Sequence, residues 1–436
     1  MSLPVATIDK LAFGGNGICR IDGKVCFVPL SCPGDEVSLQ ITSIKKSYCS
    51  ASIVEILSPS PARIIPVCPI FGLCGGCNWQ HISYPVQLEQ KRNILAEALF
   101  RGARVTDHRI GDIVAAPEPY WYRNRVQFKV AAQNGKIRIG FYRHGTHQVE
   151  DAANGCPIAD PLINQVLNCF RVVLQSYPDA TAVTQLSVDA GANGVIVFIN
   201  QNGAATQKSR EYLVSQAANC WPCTGLFLKT DSQKSAEKMW GKSEIFYHMN
   251  HAVQDQGPLL LTYPPGGFAQ VHQLQNNSML SVIRRLGDFK SSERLLDLYC
   301  GNGNFSIPLA AEVASVIGIE GNAGSVQAAE RNLELNTVAN VRFFCDDAAS
   351  GVQRLVDQGD KFDAVLLDPP RSGADNVVAG VASLQPAKII YVSCDPSTLA
   401  RDCGLLSGYG YQVVASVPVD MFPQTYHIES VTLLCK

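Results

Sequence analysis

The chain has 436 residues, a net charge of −2 and 16 cysteines. That length exceeds one ordinary hydrophobic core, so two or three domains are expected. The lack of a signal peptide and of any transmembrane-length apolar run argues against a membrane protein and for a reducing cytoplasm, where thiols serve packing, metal binding or catalysis.

Residues 1–60 read as short strands broken by glycine. Ile18, Val25, Phe27, Val28, Val37 and Leu39 lie near turns at Asp22-Gly23 and Pro33-Gly34. About five strands in this length suit a small barrel, an architecture that often carries nucleic acid. Ser58-Pro59-Ser60-Pro61 closes the region, because two prolines cannot continue a hydrogen-bonded ladder.

Residues 61–257 are expected to form a central α+β domain. It opens on CPIFGLCGGC, where Cys68, Cys74 and Cys77 follow a C-x5-C-x2-C spacing and the glycines let the loop curl around a small object. Thiolates this close repel one another unless protonated or metal-bound. The best fourth ligand is Cys156 in NGCPIAD, with Pro157 after it as in cluster loops. The spacing permits zinc or a 4Fe–4S cluster, with ordinary thiols in a loop as the plain alternative. Cys220 and Cys223 lack a second nearby pair and are set aside as ligands.

A helix is expected over residues 85–101, followed by strands such as VQFKVA and GVIVFIN. Between residues 123 and 143, Arg123, Arg125, Lys129, Lys136, Arg138 and Arg143 occur without an Asp or Glu. Interleaved with Phe128, Phe141 and Tyr142, they suit phosphate binding and base stacking. A sheet with a basic solvent face is the plain alternative.

Residues 258–436 alternate strand and helix, as in a doubly wound α/β sheet. The strand around Leu295–Leu298 leads into CGNGN, the place where such a sheet binds its cofactor. Gly301 and Gly303 allow close approach, but Ser306 replaces the third glycine of a dinucleotide fingerprint. Glu320 is placed for a ribose diol and Asp347 for a base amine, so S-adenosylmethionine fits best, with NAD or a structural turn as alternatives. Asp368, stiffened by Pro369 and Pro370, stands at the sheet edge above that cleft, unless it is a plain turn acid.

Cys394 ends the apolar strand KIIYV. A thiolate can add to an electrophilic carbon and later leave, whereas an exocyclic amine needs no covalent activation. Uracil C6 is such a carbon: addition there makes C5 nucleophilic toward a methyl group, and a base must then remove the C5 proton. Glu429, which opens the last strand, is the candidate base, His427 is its rival, and a solvent-facing carboxylate is the plain reading.

The segments GNGNFSIPLA, LLDPPRSGA, VSCDPSTLARD and DMFPQTYHIESVTLL closely resemble the RNA uracil-5-methyltransferase family, particularly its bacterial ribosomal-RNA branch with an iron–sulfur cluster. The resemblance spans nearly the whole chain, and the last two segments are its most specific part. It implies Cys394 as nucleophile, Glu429 as base and Asp368 near both cofactor and target base. It maps cofactor contacts onto Gln270, Tyr299, Asn304, Glu320 and Asp347. It further implies a TRAM-type RNA-binding barrel at residues 1–60, a structural 4Fe–4S cluster on Cys68, Cys74, Cys77 and Cys156, and a class I methyltransferase domain at 258–436. Ribosomal RNA is the implied substrate, with transfer RNA the alternative among enzymes and a non-catalytic RNA-binding module the alternative outside them. A monomer without membrane attachment is expected. One departure stands out: the asparagine often found soon after the glutamine of the family's Phe-x-Gln segment is missing after Gln270, and Asn276 and Asn277 follow only later. Local cofactor or RNA contacts are expected to be rearranged there.

Overall fold

The computed structural model describes residues 3–233, 235–252, 256–264 and 266–436. Six strands between Val5 and Ser58 form the first sheet. Their inward side chains, Ile8, Cys19, Cys26, Val28, Val37, Leu39, Cys49 and Ala51, make a separate small core. Three of the thiols are therefore packing groups. The last strand, Tyr48–Ser58, stops where Pro59 removes the next backbone donor.

The helix Tyr84–Ala103 starts with Pro85 in its first turn, where the missing N–H costs nothing. It buries Ile94, Leu95 and Leu99 in one cluster with Leu399, Ala400, Cys403 and Leu406 of the helix Pro396–Ser407, which begins two residues after Cys394. A seven-stranded central sheet follows, running in space Glu237–Gly241, Cys223–Thr230, Gly194–Gln201, Val183–Gly191, Arg125–Gln133, Lys136–Tyr142, Val149–Asp151. The helix Pro161–Gln175 covers it with Ile163, Val166, Leu167, Phe170, Val173 and Leu174, a three- and four-residue spacing that keeps them on one face. Cys220 does not stand as a free thiol: it is joined to Cys169 as a disulfide, and Cys223 is buried beside it in the chain. A two-stranded ladder pairs Ile245–Met249 with Leu259–Tyr263, on either side of residue 257.

The third large sheet has seven strands in the order Val341–Cys345, Ser315–Glu320, Arg294–Leu298, Ala364–Leu367, Lys388–Ser393, Glu429–Cys435, Gln412–Val419. The first five are parallel and read as the near-continuous apolar runs that a sheet covered on both faces requires. Glu429–Cys435 returns antiparallel beside Lys388–Ser393, and Gln412–Val419 pairs antiparallel with it at the edge. The alternation of strand and helix expected for residues 258–436 is present in this sheet. None of the described helices is long and apolar enough to cross a membrane.

A buried ion pair ties the tail to the rest. Lys91 Nζ donates to Asp420 Oδ1 (2.6 Å) and to the Phe422 carbonyl (2.9 Å), and both charged side chains are fully buried. Tyr84 Oη donates to Asp420 Oδ2 (2.8 Å), and Gln87 and Gln424 exchange reciprocal hydrogen bonds of 3.0 Å. Removing one partner of such a pair leaves a charge in a medium that solvates it poorly. Lys91→Met is therefore expected to destabilise the fold by about 3–5 kcal/mol, with Lys91→Met/Asp420→Asn recovering part of the loss. Denaturant unfolding checks this, and an unchanged midpoint in the single variant would contradict it.

Candidate active site

The parallel strands all end on one edge of the sheet, and the reversed tail strand begins there. Ser393 lies opposite Ser430 in the antiparallel ladder, so one further step places Cys394 opposite Glu429. Glu429 is also held from its other side, paired with Val419. Asp368 follows the neighbouring strand Ala364–Leu367 at the same edge. Backbone geometry alone thus brings the thiol and two carboxyls together.

Their electrostatics follow from that crowding. Burial pushes the Cys394 thiol up to about 12, with the nearby Glu429 and Asp368 adding to the rise and the Arg371 guanidinium opposing it. Glu429 is 6% exposed, and burial with Asp368 beside it holds its carboxyl well above the usual range, again opposed by Arg371. Burial raises Asp368 to about 7. His427 is held neutral: burial, with Arg371, Lys91 and Arg123 around it, lowers it to about 4. It belongs to a different wall, lining a cavity of about 670 Å³ with Thr425, Arg123, Phe268 and the cysteine loop.

Beside the thiol, Gln270, Tyr299, Gly301, Asn304 and Asp368 line one small cavity, which also takes in Phe268. Tyr299 adopts the left-handed conformation (φ 65°), a strained position for a tyrosine and one that turns the chain sharply after its strand. Gly303 is required where it stands, since a Cβ there would lie 2.8 Å from Ile307 and 2.9 Å from the Phe343 ring. Glu320 clasps this loop from below: its Oε2 accepts from Gly301 N (3.1 Å) and its Oε1 from Asn322 N (2.7 Å). Asp347 Oδ1 caps the helix Ala348–Gln358 through the Ala349 and Ser350 amides at 3.0 and 3.2 Å. Burial pushes the Tyr299 phenol up to about 12, and the exposed Asp347 carboxyl adds to the rise. Neither Glu320 nor Asp347 lines the small cavity itself.

Asn276, buried in the helix Gln273–Gly287, exchanges two hydrogen bonds with Asn304 (2.8 and 3.0 Å). Asn304 also accepts from the Tyr247 hydroxyl at 3.1 Å. Tyr247 carried no signal in the sequence, since it lies in a ladder far from any motif.

The thiols of Cys68, Cys74, Cys77 and Cys156 all face the larger cavity. Burial raises each, and their mutual repulsion adds to the effect at Cys74 and Cys77. Among the described residues no group of three or more His, Cys, Asp or Glu side chains is gathered as ligands of a single metal ion. The basic segment is partly neutralised. Arg125 pairs with buried Asp189 (3.1 Å) and donates to the Gly267 carbonyl, and Arg143 pairs with Glu150. Lys129 donates to Gln185 (2.6 Å) over the Tyr142 ring. Arg123 donates to the Arg125 carbonyl (3.0 Å); Lys136 is exposed and Arg138 half-buried.

Comparison with known proteins identifies a family. Residues 252–436 match the family model for tRNA (uracil-5-)-methyltransferase, and residues 5–62 match that for the TRAM domain of tRNA (uracil(54)-C(5))-methyltransferase. The chain is 33% identical to the 23S rRNA (uracil(1939)-C(5))-methyltransferase RlmD of Shewanella amazonensis, over 99% of this chain and 95% of that protein. It is 32% identical to the RNA methyltransferase tlr0942 of Thermosynechococcus vestitus, over 98% of this chain and 96% of that one. In fold it resembles the tRNA (uracil-54, C5)-methyltransferase of Pyrococcus abyssi, solved with S-adenosyl-L-homocysteine, with a TM-score of 0.74, 24% identity and coverage of 99% and 100% of the two chains. Similarity along nearly the whole length of the chain, together with the two family models matched by residues 5–62 and 252–436, makes this chain a member of the S-adenosylmethionine-dependent RNA (uracil-5-)-methyltransferase family.

Proposed function

We propose that this protein methylates C5 of a uridine in 23S ribosomal RNA through a covalent bond between Cys394 and uracil C6. The observation that carries the reading is the strand register that sets Cys394 across from Glu429. The choice of ribosomal RNA rests on the similarity to the Shewanella enzyme, and transfer RNA is the second reading.

Bound S-adenosylmethionine supplies the methyl group, and Gln270, Tyr299, Asn304, Glu320, Asp347 and Asp368 are the residues proposed to hold it. Four of them line the small cavity and Glu320 and Asp347 stand on the loops just beyond, a set of carboxylates and amides suited to the hydroxyls and amines of a nucleoside with an amino-acid tail. The target base, turned out of its stack, enters beside Cys394. The thiolate adds to C6 and the C5–C6 π electrons move toward C5 and the O4 carbonyl. After C5 gains the methyl group, Glu429 takes the C5 proton, the double bond re-forms and sulfur leaves. The thiol and carboxyl share a charge problem: both cannot be anions in so buried a site. The negative charge of sulfur passes into the ring on addition and is neutralised when C5 gains the methyl group, so Glu429 can then lose its own proton to water and act as the base. Arg371 eases both ionisations.

The barrel at 1–60 and the central region at 61–257 are proposed to hold the RNA, and 258–436 to carry the chemistry. Arg123, Lys129, Lys136 and Arg138 are the proposed phosphate contacts of the basic segment, while Arg125 and Arg143 serve it through their ion pairs. Cys68, Cys74, Cys77 and Cys156 are proposed to hold a 4Fe–4S cluster. The four thiols around one cavity would give such a cluster a soft ligand for each iron. It would brace the RNA-facing loops.

Three outcomes are expected. RNA carrying 5-fluorouridine traps a denaturation-resistant adduct with the wild type, Cys394→Ala neither traps nor methylates, and Glu429→Gln accumulates enzyme bound to methylated RNA; full activity in the alanine variant would remove the nucleophile. Anaerobically purified protein contains about four irons and four sulfides, lost on substitution of Cys68, Cys74, Cys77 or Cys156; stoichiometric zinc without sulfide would exclude the cluster. Asp368, raised from 3.8 to about 7, binds more protons folded than unfolded, so its contribution to stability declines as pH rises through that window. Asp368→Asn removes the decline, so its melting temperature gains on the wild type as pH is raised from 4 to 8; equal differences at both ends would show that Asp368 ionises normally.

A further inference from the structure

The N-terminal barrel reaches the catalytic tail through one turn. Ala12 N donates to the Asn16 carbonyl (2.8 Å) and Gly15 N to the Ala12 carbonyl (3.1 Å), so residues 12–16 form a tight, internally bonded turn at the barrel's end. Gly15 has φ 96°, and a Cβ on it would lie 3.1 Å from Asn78 and 3.3 Å from the Tyr426 ring. The turn is therefore pressed against the residue that precedes His427. Phe13 adds an edge-to-face contact with Tyr426 (centroids 5.6 Å apart, planes at 89°), and Tyr426 in turn lies against the His427 ring at 4.3 Å. Three rings in series connect the barrel to the wall of the large cavity.

A polar link runs parallel to the aromatic one. The Trp79 indole donates to the Gly15 carbonyl (3.0 Å), while the Trp79 and Asn78 amides donate to the Gln424 carbonyl at 3.0 and 3.1 Å. Trp79 is wholly buried, with the Lys91 ammonium over its ring at 5.7 Å. One side chain thus grips the barrel turn while its backbone grips the loop that delivers Glu429. By contrast, residues 425–428 hold themselves together locally, Thr425 Oγ1 donating to the Phe422 carbonyl (2.9 Å) and accepting from His427 N (3.3 Å). What fixes the outer side of Tyr426 is the barrel.

We propose that Phe13 is a positioning residue for methyl transfer, setting Tyr426 and through it His427, on the wall of the large cavity that meets the small one at Phe268 and Ala269, so that the target uridine is presented from that side. The barrel then contributes to the rate of the bound complex as well as to RNA affinity. This rests on the uridine-methylation reading above. A barrel that only tethers RNA has no need of a ring packed on Tyr426, because tethering requires contacts to RNA and not to the tail.

The test uses full-length protein, in-vitro-transcribed 23S ribosomal RNA or transfer RNA, and radiolabelled S-adenosylmethionine. The wild type is run first on both transcripts; labelling of neither would sink the proposed function itself, and this inference with it. On the accepted transcript, Phe13→Leu, which keeps apolar bulk but no ring, is compared with Phe13→Tyr, which keeps the ring. Misplacing groups around a reacting base by a fraction of an ångström costs on the order of tenfold or more, so Phe13→Leu is expected to lower the single-turnover rate at saturating RNA about tenfold. Its RNA affinity and S-adenosylhomocysteine affinity should stay within about twofold of the wild type, since a group acting only on the bound complex changes the rate and not the binding. Phe13→Tyr should restore the rate. A wild-type rate in Phe13→Leu, a loss confined to RNA affinity, or a parallel loss of S-adenosylhomocysteine binding would each overturn the proposal, the first two leaving the barrel as a tether and the third making Phe13 a core residue.

Discussion

The antiparallel pairing of Glu429–Cys435 with Lys388–Ser393 is the constraint on which the site depends. A parallel strand in this position would arrive at the carboxyl-end edge with its own last residue, after a crossover helix. The reversed strand instead starts there, so its first residue meets the residue just beyond the neighbour's end. Because side chains alternate with period two, a slip of one residue would turn Glu429 away from Cys394. The register is held from both sides, since the edge strand Gln412–Val419 pairs with the same segment. The loop between these two strands is then pinned by groups from the start of the chain, among them Lys91, Gln87 and Trp79.

Concentrating three acidic groups at that edge is costly in a poorly solvating interior. The cation that opposes the rise at both Cys394 and Glu429 is Arg371, on the exposed loop that follows Asp368. That loop is itself anchored: Asp402 accepts from the Ala374 amide (2.7 Å) and from Tyr391 (2.6 Å), and Arg401 donates to the Ser372 carbonyl (2.8 Å). Two further cations are spent elsewhere, Lys91 on Asp420 and Arg125 on Asp189. Burial therefore favours the protonated forms of all three groups.

Much of this was legible in the sequence because it is local. Apolar runs ending in glycine, proline or cysteine give away parallel strands and their exposed ends, and Cys394 and Glu429 sit in segments specific enough to name a family. What the sequence hid is non-local. The stretch from 123 to 143 contains no acid, yet Asp189 stands directly across the ladder from Arg125, and Glu150 reaches Arg143 from the next strand. A run free of acids along the chain is not free of them in space. Lys91 and Asp420 are 329 residues apart, and Cys169 and Cys220 are 51 apart, so neither pairing leaves a local trace. The family's asparagine soon after Gln270 is absent, and Asn276 of the helix that follows bonds Asn304.

That amide pair has a direction. The Thr262 carbonyl can only accept, so the Asn302 amide that approaches it at 2.9 Å must point its NH2 there, and the same NH2 reaches the Tyr247 oxygen at 2.9 Å. Tyr247 has one hydrogen and must spend it on Asn304 Oδ1, whose second lone pair is taken by Asn276. Asn304 Nδ2 then gives one hydrogen to Asn276 Oδ1. A backbone carbonyl that cannot flip thus sets the polarity of three side chains in sequence, and the last of them is left with a single N–H. Whatever ligand atom meets Asn304 in the cavity meets a donor: an oxygen such as a carboxylate is accepted there, and an ammonium group must find its partners elsewhere.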